Sequence, residues 1–203
     1  MLKKLFNRAP DAAPPSTLGE YFGEQLPSMG KTTNMVDFAA ELLTAPGAMM
    51  RLSLQEASVV VSYMQPRVFS QGTIVIKEGD KNNTDYMVLV LDGEVTVENI
   101  LVSRTTAVTT AVLGAGSLLG EMGIVDGEPR SATCIATTTV RAAIFTRSAL
   151  ERLIIEQPAI GAKFMMSISL RIAQRLRDTA GKLKLYSQLT QAMQQEIDRL
   201  MPT

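Results

Sequence analysis

The sequence predicts an α+β fold that is mainly β. An antiparallel β unit over residues 66–146 follows helices over 34–65 and precedes long helices over 147–203. Three observations carry this. Between 66 and 146, short runs rich in Val, Ile and Thr alternate with turn signals at Gly72, Gly79, Gly93, Gly114 and Gly116. From 147 onward the apolar residues fall at three- and four-residue steps. Ahead of 66, two apolar segments begin on helix-capping residues.

In chain order, residues 1–33 read as a flexible arm, dominated by proline, glycine and small polar residues. NMVDFAAELLTA (34–45) suits a short helix, with Asn34 as N-cap and Pro46 after its end. SLQEASVVVSYM (53–64) suits a second, because Ser53 and Glu56 have the spacing of a capping box. The four β-rich runs are RVFSQGTIVIKEGD, DYMVLVLDGEVTVENI, TTAVTTAVLGAGS and SATCIATTTVRAAIFT. Val95 and Val97 alternate with Glu94, Thr96 and Glu98, which buries one face. Many short strands with glycine turns indicate a closed or two-layered antiparallel unit. RSALERLIIEQ then forms a short helix ending near Pro158. Beyond it an apolar stripe runs through Met165, Ile168 or Ser169, Ile172, Leu176, Thr179 and Leu183, and on through Leu185, Leu189, Met193, Ile197 and Leu200. Gly181 is a point where this helix could kink. Little of the chain is left to cover the stripe, so a second copy is the expected partner and 147–203 the expected dimer interface.

Composition narrows the function. Twenty Lys and Arg balance 20 Asp and Glu, so the chain lacks the basic surplus of a bulk nucleic-acid binder. There is no histidine, the commonest general base and metal ligand, and there is one cysteine, Cys134. A zinc site and a disulfide framework are therefore not expected, and catalysis is disfavoured. Cys134 reads as a small buried hydrophobe. No run reaches membrane-span length and no signal-peptide pattern follows the N-terminus, so the expected compartment is cytoplasmic. Arg171, Arg175, Arg177, Lys182 and Lys184 read as a solvated basic face; a DNA-associated regulator is the alternative use of that strip. Glu78 and Asp80 read as polar flanks of a turn.

The most chemically suggestive stretch is GEMGIVDGEPRSATC (120–134). Gly120 allows close backbone approach, and a helical turn from Glu121 would offer free N–H groups to an anion. Arg130 offers a forked, charge-assisted contact to a phosphate, and Ser131 one more donor. Glu121 repels a phosphate; it suits accepting a bond from a sugar hydroxyl, or holding Arg130. A ligand with a phosphate and a ribose hydroxyl uses all four groups, while a decorated surface turn is the plain alternative.

GEMGIVDGEPRSAT resembles the phosphate-binding cassette of cyclic-nucleotide-binding domains, the family of the bacterial catabolite activators and the regulatory subunits of the cAMP-dependent kinase. IKEGDKNNTDYMVLVLDGEVTV upstream resembles the family's turn-strand-glycine-strand run, with Gly79, Asp80, Tyr86 and Gly93 in place, and the likeness covers about 50–185. The resemblance implies an eight-stranded, jelly-roll-like β-roll. It implies that Glu121 accepts the ribose 2′-OH and that Arg130 binds the cyclic phosphate with Ser131 and the backbone at Gly120 and Met122. Val97, Thr110 and Ala111 would line the purine pocket, and Thr179 would reach the base, although Ala180 departs from the Thr-Ser pair of the activators.

Taken together these expectations describe a homodimeric cytoplasmic receptor that is not an enzyme and that switches a protein partner. Its expected ligand is cAMP, with cGMP or a cyclic dinucleotide open, and no metal. About twenty residues follow Thr179, fewer than a winged helix-turn-helix needs, so a stand-alone sensor is expected. The rival is a structural or assembly protein that retains the fold.

Overall fold

The computed structural model describes Leu18 and residues 34–45, 52–100 and 107–200; the side chains of 99, 100 and 107–110 lie outside that description. So does the 1–33 arm, apart from Leu18.

Two helices lead in. The first, α1 (Met35–Thr44), is capped by Asn34, whose Oδ1 accepts from the Asp37 N–H at 2.9 Å. The second, α2 (Leu54–Ser62), has the full reciprocal capping box between Ser53 and Glu56. Eight strands follow: β1 (Gln65–Phe69), β2 (Ile74–Ile76), β3 (Tyr86–Asp92), β4 (Val95–Ile100), β5 (Ala107–Leu113), β6 (Leu118–Leu119), β7 (Thr133–Ala136) and β8 (Val140–Thr146). A short helix, α3 (Glu121–Asp126), sits between β6 and β7, and α4 (Arg147–Glu156) and α5 (Pro158–Leu200) complete the described chain.

The strands form two four-stranded antiparallel sheets, ordered β1-β8-β3-β6 and β2-β7-β4-β5. This is the two-layered β-roll the sequence predicts. The description "mainly β" needs correcting, because the helices hold more residues than the strands. The reason is α5, which runs 43 residues without a break. Gly181 does not interrupt it; a helix interior tolerates one glycine at about 1 kcal/mol.

The apolar run in β3, YMVLVLD, is explained by burial on both faces. Val88 and Val90 join Val75, Ile76, Val95, Val97, Leu119, Cys134 and Val140 in the cluster inside the roll. Met87, Leu89 and Leu91 point the other way, into a cluster with α1, α2, α4, α5 and Leu18. Phe145 of β8 meets Phe164 of α5 there, edge to face at 5.1 Å between ring centroids, a geometry worth about 1 kcal/mol beyond its buried area. That second cluster fixes the start of α5 against the roll and so decides which part of the helix passes the site.

Candidate functional site

Residues 120–134 form a continuous cradle: β6, a glycine, α3, a loop, β7. Gly120 has φ +75°, and a Cβ there would lie 2.5 Å from Arg130 Nη1 and 2.9 Å from Ile76 Cδ1. Gly123 is demanded by space alone, because a Cβ would meet Arg130 Nη1 and the Thr84 carbonyl oxygen, each at 2.8 Å. Both glycines thus exist to let one arginine in. The far end of α3 is closed by Gly127, whose N–H donates to the Gly123 carbonyl, and by Arg147, whose Nη2 donates to the same oxygen at 2.8 Å.

Arg130 is buried, and its guanidinium ties three segments together. Nε donates to the Asn83 carbonyl at 2.9 Å, Nη1 to Gly120 at 2.9 Å and Nη2 to Tyr86 at 2.7 Å. Its plane also lies 4.6 Å from the Tyr86 ring centroid. Burial lowers its pKa from the usual arginine value, opposed by Tyr86, Asp85 and Asp80. The chain around it is held in turn. Its N–H donates to the Asp80 carbonyl, its carbonyl accepts from Gly79, and Asp80 accepts from the Asn82 N–H and Asn83 Nδ2. The Glu78–Asp80 segment is therefore a turn, as its sequence suggests. Three of the five guanidinium N–H bonds are used in this clamp, which leaves two for a ligand.

Glu121 is fully buried. Its Oε1 accepts from Arg175 Nη1 and lies 3.9 Å from Arg171 Nε, whereas Oε2 has no hydrogen-bond partner. An unpartnered buried carboxylate oxygen is costly, and a donor from a bound molecule would satisfy it. Arg171 is mostly buried, and Nη2 donates to the Leu118 carbonyl at 3.4 Å. Burial lowers its pKa, with Glu121 opposing that shift. Arg171 and Arg175 are thus part of the site and do not lie on a purely solvated face. Their i, i+4 spacing on α5 is the signal in the sequence; what it could not reveal is which buried acid they face.

Between these groups lies a cavity of about 120 Å³, below the ~300–1,000 Å³ of sites that enclose small molecules. Gly120, Glu121, Met122, Arg130, Ser131 and Val97 all line it. Ile76, Cys134, Asp126, Glu128 and Arg175 line it as well, and none of these five was singled out for the site from the sequence. Cys134 is buried, and its thiol is pushed up to about 11 by desolvation. Ala111 pairs with Val97 across β4 and β5 and is exposed. Thr110 falls at the register shift beside that pair, and its side chain is outside the described residues. Thr179 is exposed on α5, where its hydroxyl donates to the Arg175 carbonyl at 2.8 Å. The structure therefore brings six of the nine expected residues to one cavity. Among the described residues no group of three or more acids, His or Cys could hold a metal ion. No described helix is long and apolar enough to cross a membrane.

A two-sheet roll with a glycine-led helical turn, a buried glutamate and a clamped arginine defines the class of cyclic nucleotide-binding domains. Residues 66–157 match the family model described as "Cyclic nucleotide-binding domain", and this segment belongs to that family. A cyclic nucleotide-gated potassium channel of Rhizobium etli is 28% identical over 140 residues, which are 69% of this chain and 34% of the channel. A CRP-like cAMP-activated global transcriptional regulator of Mycobacterium tuberculosis is 26% identical over 143 residues, 70% of this chain and 61% of the regulator. The chain thus spans less than two thirds of either relative. Among solved structures, a cyclic nucleotide-binding domain from Methylobacillus flagellatus superposes with a TM-score of 0.63 at 29% identity, covering 74% of this chain and 83% of that one. The Thermus thermophilus catabolite activator protein gives 0.60 at 28%, covering 72% and 63%.

Proposed function

We propose that this protein is a cyclic-nucleotide receptor, with cAMP the preferred ligand, that regulates a partner through its C-terminal helix and catalyses no reaction. The observation that carries the reading is the pairing in one cavity of a fully buried Glu121 whose Oε2 lacks a donor with an Arg130 that keeps two N–H bonds. A ribose hydroxyl suits the first and a cyclic phosphate the second. The first-turn N–H groups of α3 have no intrahelical acceptor and add to the anion site. Ser131, exposed at the rim, supplies a further donor, and Val97 supplies apolar surface for a purine. The relatives named for cAMP or cyclic-nucleotide gating support the ligand class. Calorimetric titration with cAMP, cGMP and a cyclic dinucleotide tests this. Binding of cAMP tighter than roughly 100 µM, a free energy beyond about 5.5 kcal/mol, is expected. Failure of all three to bind at that level refutes the reading.

The proposed assembly is a homodimer through α5. The buried residues of α5 end at Ile168, and every described residue from Gln174 onward is exposed. Leu176, Thr179, Leu183, Tyr186, Thr190, Met193, Ile197 and Leu200 alternate at steps of three and four, the heptad seam of a coiled coil. The continuous helical phase puts Tyr186 and Thr190 in that seam, with Leu185 and Leu189 beside it. Most helical stability in proteins comes from packing of an apolar face rather than from propensity, and a second copy supplies the same seam. Sedimentation equilibrium should give a dimer for the wild type and a monomer for the Leu183→Asp, Ile197→Asp double variant. A monomeric wild type at tens of micromolar would end the dimer reading.

A further inference from the structure

Resting on the reading of this cavity as the ligand site, we propose that Asp126 and Glu128 filter its ligands by charge. They admit a phosphodiester, which carries one negative charge, and disfavour phosphomonoesters, which carry about −1.5 to −2 at neutral pH.

The two acids are held together by the turn that ends α3. Gly127, at φ +73°, reverses the chain, and Asp126 Oδ1 accepts from the Glu128 N–H at 3.0 Å. Both residues line the cavity and both are exposed. Acids beside an anion site would ordinarily be matched by cations of their own. Among the described residues, neither is in an ion pair. Arg147, packed against Gly127, donates to the Gly123 carbonyl and does not line the cavity. Two uncancelled negative charges therefore stand at the rim.

The remaining charges of the cavity are already engaged. The Glu121 carboxylate faces Arg171 and Arg175. Arg130 is the lining cation that keeps N–H bonds for a ligand after its three bonds to carbonyls. A cyclic phosphate brings one charge, and Arg130 balances it. A monoester brings a second charge, which meets the field of Asp126 and Glu128. Coulomb energy scales with the product of the charges, so the acids oppose a dianion about twice as strongly as a monoanion. Opening the ring by hydrolysis turns a cyclic diester into a monoester of the same nucleoside, so this filter separates a ligand from its own hydrolysis product. Because both acids are exposed, water and salt screen them, and the filter adds a modest factor to the selection by shape.

The test uses the full chain and the Asp126→Asn, Glu128→Gln double variant, which removes both charges and keeps an Oδ1 for the hydrogen bond of the turn. cAMP and 5′-AMP are titrated at low ionic strength as competitors of a fluorescent cAMP derivative. The variant should bind cAMP about threefold tighter than wild type and 5′-AMP about tenfold tighter, so its preference for cAMP narrows about threefold. In about 1 M salt, where the Debye length is about 3 Å, wild type and variant should show the same preference. Glu128→Lys, which adds a cation at the rim, should narrow the preference further than Glu128→Gln. An unchanged preference at low salt overturns the filter, and so does a narrowing that persists undiminished in high salt. Failure of 5′-AMP to displace the probe from either protein at millimolar concentration also overturns it, since shape alone then discriminates. If the wild type binds no cyclic nucleotide, the receptor reading fails and the filter falls with it. Normal cAMP binding with an unchanged preference refutes the filter alone.

Discussion

Replacing Arg130 by alanine should destabilise the fold even when no nucleotide is present. The guanidinium donates to three backbone carbonyls, on Asn83, Gly120 and Tyr86, at 2.7–2.9 Å. Hydrogen bonds to charged groups contribute about 1.5–3 kcal/mol each, so the gross gain is roughly 4–9 kcal/mol. Burial works against it. The lowered pKa of Arg130 has desolvation as its largest cause, and truncation relieves that penalty, which is several kcal/mol for a buried ion. The remainder is about 3 kcal/mol, since truncation also strips three turn carbonyls of their donor. Urea unfolding followed by circular dichroism at fixed protein concentration reads this directly. With a slope of about 2 kcal/mol per molar, the midpoint should drop by about 1.5 M. Arg130→Lys should recover only part of the loss, because a single ammonium cannot match the planar fork. A nucleotide-free midpoint for Arg130→Ala within about 0.3 M of wild type would refute the reasoning. It would mean that water replaces the clamp at no cost and that Arg130 serves the ligand alone.

Two alanine substitutions at glycine should have opposite signs. Gly120→Ala should cost about 3 kcal/mol, from the left-handed backbone and the displaced Arg130 Nη1, whereas Gly181→Ala, with open space around it inside α5, should stabilise by up to about 1 kcal/mol; thermal melts of both separate them. Ser53→Ala removes one half of the capping box and should lower stability by about 1 kcal/mol in urea unfolding. Cys134 is a pH prediction. Its thiol is held protonated to about 11, so above the unfolded cysteine value the unfolded chain releases a proton that the native one keeps. Stability should therefore fall between about pH 9 and 11, by about 3 kcal/mol more in wild type than in Cys134→Ala. Parallel pH profiles for the two proteins contradict that assignment.

Much of the fold was legible because it is written in local signals. The capping residues Asn34 and Ser53 mark helix starts, since their side chains bond to N–H groups two or three residues on. The valine alternation in β4 and the double-sided burial of β3 follow from the two-residue period of a strand. The site was legible to the extent that its residues lie close together in the chain. Gly120, Glu121, Met122, Arg130 and Ser131 fall within twelve positions, so a single motif carries them. Arg175 was read as part of a solvated basic face because its partner is 54 residues away. On a helix surface it looks like any other solvated cation until the packing of Phe164 and Ile168 sets the direction of α5. The inward clamp of Arg130 escaped for the same reason, since its acceptors are main-chain oxygens and carry no side-chain signature.

The sequence by itself determined the order of helices and strands, the glycine-led cassette and the absence of histidine chemistry. Each depends on residue type and short-range spacing. Only the tertiary structure decided that Arg130 is a structural clamp with donors to spare, that Glu121 is buried with one oxygen open, and that α5 sets Arg175 against Glu121 at the cavity wall before running on with its seam exposed. Those outcomes depend on burial and on contacts between distant segments. They are set by how the helix layer packs on the sheet, which no local pattern encodes.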